Sequence, residues 1–448
     1  MSIESTTLGN GIRVVTEKSG SQSASVGVYI GAGSRQDTLE TTGAANMLTK
    51  MLFRGTSATS KAQFAEEIES MGGRVSSDVD REYTNLNMSV FKGDLGRAVA
   101  LLGDAVSSAN LDHAELEIAK QEQAAAHEVS NKDQEGTTLE AVHFNSFRDH
   151  MMGQPIKGDA DNVQNLTADI LNEYRSKNYT GDKMVIVGTG AVDHDAFVEQ
   201  VEAAFGGIQG SGAEQENSDK SVYTPSLLMM RDDEMYNANV GVFFDAPSVN
   251  HEDYYSFELL RHMIGDYDIQ KNAEHLNDTQ KQYNATQGVL GELPDVTRQA
   301  CHYKAYSDCG IFGSYLFGNE VFVRQMNWCG LAAPVFYGEF VNEVEVVRGR
   351  NAYWNELMTE KSACDLNKEI GTQLLAQGRR VTRSEIAKRV SYMDKDTVRA
   401  LCYQWFYDSE PTFTNWGPIQ DTSSFGSYKY FKLNTMTTVS NLHHSLRT

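Results

Sequence analysis

Cysteine is scarce in this chain and badly placed for cross-linking. The five in 448 residues, Cys301, Cys309, Cys329, Cys364 and Cys402, all fall in the second half, and no Cys-x-x-Cys occurs. An odd number without paired spacing indicates neither a disulfide framework nor a cysteine zinc site, and a reducing compartment fits. Positive charge is short as well: 39 basic residues stand against 61 acidic ones, for a net charge of −22 and a pI near 4.9. Nucleic acid and an anionic lipid surface would both repel such a chain. A solvated acidic surface, or the steering of a basic partner or peptide, is compatible with it. Long apolar runs are missing too. The stretch 184–187 is far below the ~18–20 residues a membrane helix needs, and glycines follow it directly. Met1-Ser2-Ile3-Glu4-Ser5 has neither a signal-peptide core nor an Arg-rich amphipathic presequence. Any import signal is therefore expected to be internal or already removed.

What is present is an ordinary globular composition, 40% apolar and 10% aromatic, over a length that allows two full-sized cores or more. The turn signal Gly9-Asn10-Gly11 leads into β-branched residues over 12–16, and an apolar run follows at 25–30. These predict two strands. Helices are expected over 61–72, 95–105, 112–129 and 195–205, a strand pair within 75–91, and a central strand over 184–187. The polar, glycine-bearing stretch 206–223 reads as a linker. Past it the pattern restarts. Val240-Gly241-Val242-Phe243-Phe244-Asp245-Ala246-Pro247-Ser248 echoes Val26-Gly27-Val28-Tyr29-Ile30-Gly31-Ala32-Gly33-Ser34, each followed by a helical pattern. More weakly, 412–419 echoes 184–192. The economical account is a duplicated α+β unit: two homologous α+β domains at 1–210 and 229–448, joined by a linker at 211–228.

The most informative stretch is Gly43-Ala44-Ala45-Asn46-Met47-Leu48-Thr49-Lys50-Met51-Leu52-Phe53-Arg54-Gly55-Thr56. Ala44, Met47, Leu48, Met51 and Leu52 fall at i, i+3, i+4, i+7 and i+8, one apolar face of a helix. Thr41 or Thr42 is suited to cap its start, and Gly55 to turn the chain beyond its end. The other face carries Asn46, Thr49 and Lys50, at the spacing of an inverted zinc-peptidase motif, H-x-x-E-H. This frame resembles the metal helix of the mitochondrial processing peptidase and cytochrome bc1 core protein family, which has the inverted zinc peptidase fold. Further blocks carry the resemblance over nearly the whole chain: Glu69-Ser70-Met71-Gly72, Arg81-Glu82-Tyr83-Thr84, residues 98–104, residues 370–380, and Trp416-Gly417-Pro418-Ile419-Gln420. They are most similar to the branch formed by core protein 1 and the processing peptidase β subunit. The resemblance implies two homologous α+β domains closing as a clam-shell around a central cleft.

The departures from that family are as telling as the matches. Its motif would put histidines at Asn46 and Lys50 and the general-base glutamate at Thr49, and its third metal ligand at Ala126, or at Ala125 with a one-residue slip. None of these is a ligand or a base, although Glu122, His127 and Glu128 stand nearby. A catalytic zinc site takes three protein ligands and an open position, so no metal and no catalytic residue is expected. A glycine-rich loop of the family's α subunit would fall at Ile269-Gln270-Lys271-Asn272-Ala273-Glu274, which contains no glycine. The α-subunit reading is disfavoured accordingly.

Smaller signals have plain readings. Glu140 and His143 have half the spacing of a di-iron site, without a second copy, and read as a surface or capped pair. Gly188-Thr189-Gly190 lacks the third glycine of a dinucleotide fingerprint and reads as a strand-to-loop turn. Arg379-Arg380 suits a helix end. Tyr403, Trp405, Phe406 and Tyr407 read mostly as core, and His443-His444 carry no inference. The resemblance implies a structural, catalytically inactive core subunit on the matrix side of respiratory complex III in the mitochondrial inner membrane. It implies as partners a core protein 2 homologue, cytochrome b, cytochrome c1 and the Rieske protein, with no cofactor of its own. The alternatives are processing-peptidase activity through a partner that supplies the metal, and a non-catalytic presequence-binding subunit of that peptidase.

Overall fold

The computed structural model describes residues 3–130, 132–210, 219–269, 290 and 295–419. Residues 270–274 of the expected glycine-free loop, residues 211–218 of the expected linker, Gln420 and His443-His444 lie outside them. Among the described residues, no helix is long and apolar enough to cross a membrane.

Among the described residues, two six-stranded sheets organise the fold. The first has the order β1 (Ile3–Thr7), β2 (Arg13–Lys18), β6 (Met184–Gly190), β3 (Ser23–Ile30), β5 (Thr84–Phe91), β4 (Arg74–Val79). The second has the order β7 (Leu227–Arg231), β12 (Thr412–Gly417), β8 (Asn237–Asp245), β11 (Gly310–Asn319), β10 (Val296–Ala305), β9 (Tyr267–Asp268). In each, one parallel pair, β2 with β6 and β7 with β12, adjoins an antiparallel run. The echoed segments occupy matching places. Strand β3 lies between β6 and β5 as β8 lies between β12 and β11. The internal duplication read from the sequence is thus a duplication of sheet topology, and the fold is α+β.

The compact units are not the two linear halves. One comprises 1–129, 150–219 and 360–381, and the other comprises 130–149, 220–359 and 382–448. Each half lends one helix to the other half's sheet, an exchange that a division at 210 and 229 does not capture. The physical reason is that both faces of each sheet are apolar, so each requires a cover on both sides. In the first unit Val26, Val28 and Ile30 belong to the large core beneath the helices of the first half. On the opposite face Tyr29, Val185 and Val187 pack with Leu366, Ile370 and Leu374. These last three come from the helix Ala363–Gln377 of the second half. Its Asn367 is fully buried and donates to the carbonyls of Ser25 and Val187 at 3.0 and 2.8 Å, while Tyr29 Oη donates to its Oδ1 at 2.8 Å. Gly371 lets the helix lie on the Tyr29 ring, where a Cβ would come within 2.3 Å of it. Arg380, just past the end of this helix, pairs with Glu369 at 2.5 Å and donates to Gln373 at 2.8 Å. That half of the basic pair fastens the end of its own helix.

In the second unit the helix Gln134–Ser146 covers the sheet: Asn145 Nδ2 donates to Phe413 O at 3.0 Å, and Val142 lies over Gly241. His143 on that helix is buried, with Nδ1 2.7 Å from Leu139 O and Nε2 2.8 Å from Tyr306 Oη. It is a satisfied core histidine. Phe244, Phe257, Phe312 and Phe406 form an aromatic cluster with ring separations of 5.0 to 5.6 Å. Of the four aromatics expected to be mostly core, Phe406 is buried and Trp405 half-buried, but Tyr403 and Tyr407 are exposed. The five cysteines are all free.

Candidate functional site

The helix expected to carry the site forms at Ala44–Met51 (α1), and its apolar residues Ala44, Met47, Leu48 and Met51 are buried together with Leu52. Its start is capped differently from the sequence expectation. Gly43 occupies the N-cap with φ +90°, and Asp37 supplies the acceptors, Oδ2 from Gly43 N–H at 2.9 Å and Oδ1 from Ala45 N–H at 3.1 Å. Thr42 Oγ1 is engaged elsewhere, accepting from Asp159 N–H at 3.2 Å and from Asn162 Nδ2 at 2.9 Å. Tertiary partners override the local cap. Gly43 also meets Gly158 backbone to backbone: a Cβ on Gly43 would lie 2.9 Å from Lys157 O, and one on Gly158 2.4 Å from Thr42 O. Residues 157–158 are thereby held against the start of α1. Gly55, past the helix, has φ +109°, as a turn glycine should.

Burial pushes the Asp37 carboxyl up to about 7, against the backbone N–H groups of Gly43, Ala45 and Ala44 that favour its ionised form. The folded state therefore holds a proton that the unfolded chain releases near its ordinary value of 3.8. The Asp37 contribution is full below that value and declines as pH rises through about 7. Replacing Asp37→Asn keeps an acceptor at the cap and removes the titration. Thermal unfolding between about pH 4 and pH 7 should then lose a downward slope amounting to about 4 kcal/mol across the window. An unchanged slope would mean that its N–H donors hold the carboxylate ionised.

The other face of α1 carries the positions at which the resemblance would put two zinc-binding histidines and a general base, and at which none was expected. Thr49 is buried, and its hydroxyl donates to Ala45 O at 2.9 Å, within its own helix. Asn46 and Lys50 are half-buried. Lys50 Nζ donates to Oε1 of Gln123, which lies on a second helix, His113–Ser130 (α2). Gln123 is itself buried, and its Nε2 donates to Lys157 O at 2.9 Å. The chain of bonds Lys50, Gln123, Lys157 carbonyl thus ties α1, α2 and residues 157–158 together. Ala126 lies one turn beyond Gln123 and is half-buried, whereas Ala125 is exposed. This places Ala126, not Ala125, on the side of α2 that carries Gln123.

Charges of both signs surround this face. Burial lowers the Lys50 pKa, opposed by Glu122 and reinforced by Lys157 and Arg54. Arg54 pairs with Glu115 at 3.0 Å and with Glu122, and Lys61 shares Glu115 at 3.1 Å. His127 is half-buried, its Nε2 has no hydrogen-bond partner, and its pKa is lowered first by burial and then by Lys157. Glu128 is exposed. An amide, a hydroxyl turned to its own helix, an ammonium and a methyl do not fit a zinc ion, which takes imidazole, thiolate or carboxylate. Among the described residues, no group of three or more His, Cys, Asp or Glu is placed to hold a metal. Sequence reasoning missed Gln123 and Asp37. Gln123 continues the buried face of Leu116, Ala119 and Lys120, a periodicity that could have pointed to it. Asp37 is remote from any helix pattern and gave no signal.

Comparison with known proteins gives this geometry its family. Residues 13–160 match the description "Insulinase (Peptidase family M16)", and residues 165–326 match "Peptidase M16 inactive domain". The chain belongs to peptidase family M16. Among M16 relatives, the bovine (Bos taurus) "Cytochrome b-c1 complex subunit 1, mitochondrial" is 28% identical over 433 residues, covering 93% of this chain and 87% of that one. The Arabidopsis thaliana "Probable mitochondrial-processing peptidase subunit beta, mitochondrial" is 28% identical over 436 residues, covering 95% and 80%. A chain from "Complex III2 from Candida albicans, Inz-5 bound" shares the fold with a TM-score of 0.84 at 20% identity, covering 96% of this chain and 99% of that one.

Proposed function

We infer that this M16 chain is a catalytically silent core subunit, like core protein 1, of mitochondrial respiratory complex III. The observation that carries the reading is the contrast inside α1. Its buried apolar face is complete, while Asn46, Thr49 and Lys50 on its other face, with Ala126 on α2, stand where the resemblance would put the family's zinc chemistry. There Lys50 spends its charge on a hydrogen bond to Gln123. The bovine relative named for complex III and the Candida albicans fold match support the assignment. So do the two cores kept at full size.

In this reading the chain sits on the matrix side of the inner membrane, beside a core protein 2 homologue, and supports cytochrome b, cytochrome c1 and the Rieske protein. Haems and the iron–sulfur cluster belong to those neighbours. A second reading is a presequence-binding, non-catalytic subunit of the processing peptidase, favoured by the Arabidopsis thaliana relative at the same identity. A native gel of solubilised mitochondrial membranes separates the two. Migration of this chain with cytochrome b is expected, and migration only in a haem-free soluble complex would select the second reading.

A further inference from the structure

The helix Glu343–Met358 (α3) is apolar on two opposite sides. Val346, Gly349, Tyr353 and Leu357 face the interior of their own unit, with Gly349 closely packed on Met263. On the other side Val344, Val347, Trp354 and Met358 are 59%, 39%, 46% and 46% exposed. With exposed Asn351 between them, these residues follow one another at spacings of three, four, three and four. At 3.6 residues per turn they fall within an arc of roughly 80°, along a seam about 21 Å long. That is the seam of a two-helix contact, with an amide in its central layer, the device that fixes register in such pairs. Scattered surface apolar residues have no reason to keep this period.

The flanks say what lies opposite. On one side of the seam stands Arg348, exposed and, among the described residues, without a carboxylate partner. On the other, Arg350 is already engaged, by Glu343 at 3.4 Å and by Ser391 O at 3.0 Å. The unsatisfied charge beside the seam is therefore a single cation, in a chain whose net charge is −22. Two copies of so acidic a chain repel each other, which disfavours self-pairing through this face.

We propose that the exposed face of α3 docks an amphipathic helix of about four turns from another protein. That helix carries apolar residues at alternating three and four spacing, an amide facing Asn351, and a carboxylate facing Arg348. The proposal does not depend on the complex III assignment.

The test uses the purified full chain and two labelled synthetic helices with leucines at the seam and a central asparagine. One has glutamate at the flanking positions and the other lysine, and binding is followed by fluorescence anisotropy. The glutamate helix is expected to bind with a Kd below ~100 μM, and the lysine helix about tenfold more weakly. Val347→Glu with Trp354→Glu should abolish binding, and Arg348→Glu should reverse the preference between helices. All three positions are exposed, so circular dichroism should show the fold intact in each variant. No binding of the glutamate helix, or binding indifferent to these substitutions, would overturn the proposal. So would a dimer in sedimentation that the Val347→Glu/Trp354→Glu variant loses, since the face would then belong to a second copy.

Discussion

Depleting this protein is expected to abolish assembled complex III, and the variant Asn46→Ala/Thr49→Ala/Lys50→Ala is expected to restore it as well as the wild type does. The expectation rests on where the three side chains are and what they hold. Asn46 and Lys50 are only half-buried, and alanine at either raises helix propensity by a few tenths of a kcal/mol. The Thr49 hydroxyl donates to Ala45 O in its own helix and neighbours the buried Tyr179 hydroxyl, so its removal costs a local contact and no charged partner. Lys50→Ala does leave Gln123 Oε1 without its donor, a cost of about 1–3 kcal/mol at a buried amide. The net loss stays within what a folded domain of this size tolerates. The surfaces a structural subunit offers its neighbours are instead spread over many residues, with obligate interfaces burying upwards of ~2,000 Å². Removing the whole chain would uncover the partner side of that contact and leave it prone to misassembly. The measurement is spectroscopic cytochrome b and assembled complex in depleted and rescued strains. Normal complex III after depletion would sink the structural reading, as would failed rescue by a variant shown to be folded.

The duplication was legible in the sequence because each buried central strand carries a continuous apolar run, and two such runs with the same neighbours stood on either side of the linker. The structure confirms it through the matching places of β3 and β8. The exchange of helices between halves was not legible. The helix Gln134–Ser146 has the same mixed composition as helices that stay with their own half, and its destination is set by Val142 lying over Gly241, a contact about a hundred positions away in sequence. At the candidate site the periodicity of α1 gave the apolar residues of its buried face, but not Ala45 or Thr49, which are buried as well. What covers its other face could not be read, because Lys50 meets Gln123 across 73 positions. The cap was misassigned for a related reason: Thr42 has the right chemistry for a helix start, but Asp159 and Asn162 claim its hydroxyl.

Replacing Asn46→His, Thr49→Glu, Lys50→His and Ala126→Glu together is expected to create a zinc site. The spacing of the first three on α1 is that of two imidazoles and a carboxylate on one helical face. Lys50 already reaches α2, so the two helices face each other at the height of Lys50. Ala126 is on the Gln123 side of α2, one turn along, and is only half-buried. Replacing Lys50 also removes the ammonium that would repel a dication, and the remaining Lys157 and Arg54 are partly offset by Glu122 and Glu115. Calorimetric titration should find one zinc per chain with a Kd in the micromolar range or tighter, some 8 kcal/mol of binding, against no stoichiometric zinc for the native protein. Peptidase activity should return only in small part. Gln123 is held between Lys50 and the Lys157 carbonyl, and is not set to orient an imidazole ligand. Reverting Ala126→Glu alone should weaken binding by at least about tenfold, since three protein ligands are the usual minimum for such a site. A folded four-residue variant that takes up no zinc at about 10 μM metal would show that the α1–α2 separation no longer suits an ion. One equivalent of tight zinc in the native chain would overturn the reading of these positions as emptied of their chemistry.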